Sequence, residues 1–144
     1  MYNSNHSSSI NHYQNIHVST GSGMVDADPH KLVQLLYQGL LDKMAKAKGH
    51  IARGEIEARN NTLKRCMDIV DYLRMILDHD ASTTLSANLE SLYNYMEERL
   101  FQANQTNDVA CVDEVARLII TLKSGWDNIP DVARKPARTT ANAF

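Results

Sequence analysis

Six histidines, two cysteines and seventeen carboxylates are the side chains of this 144-residue chain that could ligate a metal or handle a proton. The histidines, at positions 6, 12, 17, 30, 50 and 79, never fall three or four residues apart, so no helical turn can offer two imidazoles to one ion. No glutamate is followed three residues later by a histidine, the pairing a di-metal carboxylate bundle needs on two of its helices. Cys66 and Cys111 stand 45 residues apart with no metal-type spacing and read as reduced, buried thiols of a cytosolic protein. Gly21-x-Gly23 lacks both the preceding strand and the later glycine of a phosphate-cradling loop. No serine or cysteine has a base supplied by its local sequence, and Glu97-Glu98-Arg99 reads as a solvated helix face. The expectation is a protein that is not an enzyme and carries no metal or cofactor.

Charge narrows the partners. Fifteen Lys and Arg against seventeen Asp and Glu give a formal charge of -2, which provides no basic field for a nucleic acid. The longest uncharged, mainly apolar stretch runs from Leu32 to Leu41, about half of what a bilayer crossing requires. The N-terminus has neither the basic start nor the apolar run of a signal peptide. A cytoplasmic protein that neither inserts into membranes nor binds nucleic acid is expected.

The elements that must position any functional side chain are helices. The three prolines stand at 29, 130 and 136, and the span between the first two is rich in Leu, Ala, Met, Glu and Lys. Asp28-Pro29 provides a cap and a first-turn proline, and Val33, Tyr37, Leu40, Met44, Ala47 and Ile51 follow at steps of three and four until Gly54. A second seam uses Leu63, Cys66, Val70, Leu73 and Leu77. A third uses Leu85, Leu89, Leu92, Met96, Leu100 and Ala103 and stops at the turn Asn104–Asn107. A fourth uses Val112, Val115, Ile119, Leu122 and Trp126. With connections of roughly four to seven residues, neighbouring helices must run antiparallel. The fold class is all-α: an antiparallel up-down four-helix bundle over 26–127, with room for a short extra N-terminal helix around Tyr13. Residues 1–25, without a single charged side chain, read as a flexible segment with a small apolar cluster at 13–18, and 128–144 as a flexible basic tail.

Two helices carry more apolar surface than one seam uses. Leu32, Val33, Leu35, Leu36, Tyr37, Leu40 and Leu41 spread over roughly 240° of the first helix, and the apolar residues between Val109 and Leu122 over roughly 200° of the last. A peripheral bundle helix needs little more than a stripe of about 100°. Either the neighbouring helices cover this excess, or part of it forms a groove for another chain.

Three motifs then occur in order: Tyr13-Gln14 with Asp26-Ala27-Asp28-Pro29-His30-Lys31-Leu32-Val33-Gln34-Leu35-Leu36-Tyr37-Gln38-Gly39; Leu89-Glu90-Ser91-Leu92-Tyr93-Asn94-Tyr95-Met96-Glu97-Glu98-Arg99-Leu100 with Ala103-Asn104; and Asp108-Val109, Glu114-Val115, Leu118 and Trp126. Together they resemble the flagellar secretion chaperone family, FliS, small all-helical bacterial proteins that bind flagellin before export. The departures are a longer Ser/Asn-rich start, the Gly21–Gly23 insertion, and Asp28 where the family usually has Ser or Thr, a residue type that caps a helix equally well.

The resemblance implies a cytosolic export chaperone that holds the C-terminal segment of flagellin, prevents premature polymerisation and hands over a secretion-competent chain, with components of the flagellar export gate as further partners. The expected state is a monomer or weak homodimer. Leu32, Leu35, Leu36 and Tyr37, where the apolar arc is widest, are the first expected groove residues, followed by Tyr93, Tyr95 and Leu100. Tyr13, Ile16 and Val18 are expected to act as a removable plug of that groove. The rival reading is a helical adaptor that self-associates through the same apolar excess.

Overall fold

Asp28 begins the first helix as its residue type predicts: its carboxylate accepts from the Lys31 amide at 3.2 Å, and Pro29 occupies the first turn. The computed structural model describes residues 28–78 and 83–130. The expected short helix around Tyr13, the 13–18 cluster and most of both terminal segments lie outside the described residues. Four helices account for nearly all that is described: α1 Pro29–Arg53, α2 Ile56–Met75, α3 Thr83–Thr106 and α4 Val109–Asp127.

Two of the turns are shorter than expected. Gly54, at φ +69°, ends α1 in the left-handed region, and only Glu55 separates it from α2. Asn107, at φ +55°, makes the same reversal between α3 and α4, where Asp108 caps α4 by accepting from the Ala110 amide at 2.9 Å. Arg59, near the start of α2, holds this corner: it donates to Asn104 at 3.0 Å and to Asn107 at 2.8 Å.

α1 packs on α2 and α4, and α3 packs on α2 and α4, so the helices form a ring in which α1 faces α3 across the core. The core contains Val33, Leu40, Met44, Leu63, Ile69, Leu73, Met96, Leu100, Val115 and Ile119, all buried. Each such side chain removed from water contributes roughly 1.5–3 kcal/mol before the entropy of ordering is subtracted. Cys66 and Cys111 are free and buried, and burial pushes the Cys66 thiol up to about 12.

One polar contact crosses the ring. The Tyr37 and Tyr93 hydroxyls, from α1 and α3, hydrogen-bond at 2.7 Å with both side chains buried. Burial pushes the Tyr37 phenol up to about 12 and raises that of Tyr93 further, so both stay neutral. This contact explains a difference from the expected third seam. The buried row of α3 is Ser86, Leu89, Tyr93, Met96, Leu100 and Ala103, whereas Leu85 is exposed and Leu92 half-buried. Tyr93 can sit inside because Tyr37 satisfies its hydroxyl, and Ser86 because it donates to the Asp78 carbonyl at 2.7 Å.

At the open end of α1, Trp126 stacks on His30 with ring centroids 4.7 Å apart and donates its indole N–H to the His30 carbonyl at 2.8 Å. Beside them Asp127 accepts from Lys123 at 2.6 Å and from Gln34 at 2.8 Å. The Lys123 bond holds the Asp127 carboxyl below its ordinary value, assisted by Gln34 and opposed by desolvation.

Tyr37→Phe and Tyr93→Phe should each lower the unfolding free energy by about 1–2 kcal/mol, because each strands one phenol in the core. The double variant should cost little more than either single one in urea unfolding; additive losses would show that the hydroxyls do not act as a pair. Because the folded pKa of Asp127 is depressed, its stabilisation is complete above the ordinary carboxylate pKa and is lost as pH falls through the folded value. Asp127→Asn should therefore flatten the acid limb of the stability profile below about pH 4 without changing its neutral plateau's shape.

Candidate functional site

The seam between α3 and α4 has charge at one end and none along the rest. At the charged end Tyr95 donates its hydroxyl to Glu114 at 2.5 Å, and Arg99 donates from Nε to the other oxygen of Glu114 at 2.7 Å. These two bonds hold the Glu114 carboxyl below its usual range, and they raise both the Tyr95 phenol and the Arg99 guanidinium. They also fix the antiparallel register of the two helices. Carried along the helices in antiparallel sense, the two bonds set Leu92 level with residues 117–121 of α4 and Leu85 level with the last turn of α4.

The result is an uncharged strip. On α3 it runs through Leu85, Asn88, Leu92 and Tyr95, and on α4 through Leu118, Thr121, Leu122 and Gly125. Leu85 is 49% exposed and Tyr95 40%, while Leu92, Leu118 and Leu122 are half-buried and rest on the core. A Cβ added at Gly125 would meet nothing within 4 Å, so the strip is open at that end. α3 and α4 also pack less extensively than the other neighbouring pairs, which leaves their shared furrow shallow but accessible.

Two of the other seams carry polar contacts. Between α2 and α3, Arg74 bonds Asp71, Asn94 and Glu97. Between α1 and α4, Lys48 pairs with Asp113 at 2.6 Å, and the depression that includes Leu41 and Ile120 is otherwise lined by Gln38, Lys123, Ser124, Asp127 and Asn128. Phe101 is 54% exposed but has no comparable uncharged row on its own helix. No group of three or more His, Cys, Asp or Glu side chains suited to a metal occurs among the described residues. No helix of the described residues is long and apolar enough to cross a membrane.

Of the seven groove residues expected from the sequence, four are core residues. Leu36, Tyr37, Tyr93 and Leu100 are at most 3% exposed and offer no surface in this structure. The breadth of the apolar arc on α1 is largely its packing against the neighbouring helices, and the tyrosine pair is the link described above. Leu32 and Leu35 are half-buried on the flank of α1, and Tyr95 is exposed beside Glu114. Tyr13, Ile16 and Val18 lie outside the described residues. Leu85 and Leu92 were not expected at a site, while Leu118 and Leu122 belong to the apolar excess of the last helix that either its neighbours or another chain would cover. A signal for the α3 pair existed: steps of strictly alternating three and four run through Ser86, Leu89, Tyr93, Met96, Leu100 and Ala103, whereas the row through Leu92 contains two consecutive steps of four.

Comparison with known proteins adds a family to this architecture. The family model described as flagellar protein FliS matches residues 9–133. The flagellar secretion chaperone FliSB of Pseudomonas aeruginosa is 41% identical over 112 residues, which cover 78% of this chain and 89% of the relative. The flagellar secretion chaperones FliS of Vibrio cholerae and Salmonella typhimurium are 34% and 32% identical over 113 residues, covering 78% of this chain and 83% and 84% of the relatives. With a bundle of this form and similarity over most of its length, the chain belongs to the FliS family of flagellar secretion chaperones.

Proposed function

We propose that this protein binds the C-terminal segment of flagellin in the cytoplasm, keeps it from polymerising prematurely and releases it in a secretion-competent form to the flagellar export gate. The observation that supports this most is the uncharged α3–α4 strip, because an amphipathic segment can fold into it with its apolar face down. Leu85 to Tyr95 spans about 15 Å, three helical turns, which suits a client helix of about eleven residues.

Magnitudes argue for a client that extends further. Burying about 500 Å² of apolar surface gains roughly 12 kcal/mol at 25 cal/mol per Å². Ordering eleven backbone residues costs about as much, at roughly 1–2 kcal/mol each. One furrow therefore leaves little surplus, and firm binding requires a second contact face. Leu32 and Leu35, half-buried on α1, are proposed for that face, with Tyr95 at the end of the first. Leu36, Tyr37, Tyr93 and Leu100 would support the client surface from within rather than touch it. Tyr13, Ile16 and Val18 are proposed as a plug that competes with the client and leaves when it binds. A monomer or weak homodimer that takes up one client is the expected working form.

Light scattering should detect a 1:1 complex with the flagellin of the same cell, and the complex should disappear when the last ~40 residues of flagellin are removed, a length set by the few helices such surfaces can hold. Leu85→Asp changes an exposed side chain and should leave the unfolding transition in place, yet weaken binding about tenfold or more, the equivalent of about 1.4 kcal/mol. Equal binding by truncated flagellin, or by the Asp variant, would remove the assignment of the groove. Deleting residues 1–20 should raise the client on-rate; an unchanged rate and affinity would remove the plug.

A further inference from the structure

Two side chains of α2 are buried on a face that the other three helices do not cover. Asp68 and Tyr72 are each 8% exposed. They stand roughly 180° and 140° around α2 from the seam of Leu63, Cys66, Val70, Leu73 and Leu77. Their neighbours on that outer face, Lys64, Arg65 and Met75, are exposed. Desolvation, and after it the charge of Arg65, lowers the Lys43 pKa, so the Arg65–Asp68–Tyr72 side of α2 borders α1. Leu32 and Leu35, both half-buried, stand across this border in the antiparallel register set by the short turn at Gly54 and Glu55. A buried carboxylate and a buried phenol need polar partners, and both side chains are engaged in interactions.

We propose that residues 1–27 are seated on this α1–α2 flank, anchored at Asp68 and Tyr72, so that the plug guards the second client face and leaves the α3–α4 furrow open. The seat deepens the plug reading given above and rests on it. Connectivity selects these residues from the three stretches outside the described ones. Four residues span about 14 Å at most, and those at 79–82 have to reach α3, whereas Asp68 lies about 15 Å back along α2. Residues 131–144 leave from α4, which packs on α1 and α3 but not on α2. Residues 1–27 enter α1 at Asp28, on the helix that borders the flank along its length. Tyr13 to Val18 stand ten to fifteen residues before Asp28, a reach of roughly 30–50 Å where about 20 Å is needed. The first 25 residues carry no charge, so they meet Asp68 with hydroxyl, amide or imidazole donors, and Tyr13, Ile16 and Val18 cover Leu32, Leu35 and the Tyr72 ring. Client and segment then contend only for Leu32 and Leu35. The client docks first in the open furrow and displaces the segment in a second step.

The test places a nitroxide on the full chain at Gln14→Cys; Cys66 and Cys111 are buried and stay unlabelled. Nuclear magnetic resonance of the isotope-labelled protein, referenced to the same sample after reduction of the nitroxide, reads which amides lie near it. Amides at Leu32–Gly39 and Asp68–Ile76 should lose more than half of their intensity, and those around Leu85, Leu118 and Leu122 should keep theirs. Exchanging both anchors, Asp68→Ala with Tyr72→Ala, should restore most of the lost intensity while the amide pattern of the bundle persists. Loss concentrated around Leu85, Leu92 and Leu118 would put the segment in the furrow, and uniform weak loss would show no seat at all; either result overturns the proposal. A saturating peptide of the last ~40 residues of flagellin then separates the seat from the plug reading. Recovery of intensity at Asp68–Ile76 is expected. Undiminished loss there in the saturated complex would uphold the seat and overturn the plug. A peptide that does not bind would overturn the client groove, with the seat decided by the free protein.

Discussion

The hydrogen bond between Tyr37 and Tyr93 sets the rotation of α3, and much of the proposed client surface follows from that rotation. A bundle whose helices pack as a ring has two diagonals that close only through side chains reaching across the core. Apolar side chains can fill that space in many ways, whereas two phenols must meet at hydrogen-bond distance or leave a buried hydroxyl unsatisfied, at a cost of about 1–3 kcal/mol. With Tyr93 pointing inward, Leu92 and Leu85 are turned to the flank that borders α4. A seam through Leu92 and Leu85 would turn that flank of the helix inward and bury residues that now line the furrow.

The remaining polar contacts decide which furrows stay available. Arg74 gathers Asp71, Asn94 and Glu97 over the junction of α2 and α3, and Arg59 gathers Asn104 and Asn107 at its lower end. Lys48, Gln34 and Lys123 do the same for α1 and α4 with Asp113 and Asp127. A segment docking on those junctions would have to desolvate charged groups that already have partners. The α3–α4 junction confines its charge to the Tyr95–Glu114–Arg99 end and leaves the rest apolar, which is the arrangement expected of a surface that is wetted in the free protein and covered in a complex.

The helix ends were legible where capping chemistry is local. Asp28-Pro29 and Gly54 begin and end α1 as their residue types imply, whereas the expected Asn104–Asn107 turn narrows to Asn107 because α3 continues through Thr106. The start of α2 was not legible, because Glu55 makes no side-chain cap bond and nothing local distinguishes Ile56 from its neighbours. The phase of α3 was misread because Leu92 and Tyr93 are both apolar enough for a core. What separates them is a hydroxyl partner 56 residues away, a non-local fact that periodicity weighs only through the regularity of its steps. The same misreading put Tyr93 on an expected surface and took Leu85 and Leu92 off it, whereas Leu36, Tyr37 and Leu100 were expected at a surface that the packing of the neighbouring helices covers. The apolar breadth of α4 includes Leu118 and Leu122, which rest half-buried on the core at the flank toward α3.

The central claim is that an amphipathic client lies along α3 and α4. Nuclear magnetic resonance of the isotope-labelled protein, titrated with the C-terminal segment of flagellin, tests it most directly. The account predicts that the largest shift changes cluster at Leu85, Leu92, Tyr95, Leu118 and Leu122, with a second group near Leu32 and Leu35. Changes confined to the α2–α3 junction around Arg74 and Phe101, with the α3–α4 resonances unmoved in a saturated complex, would contradict it.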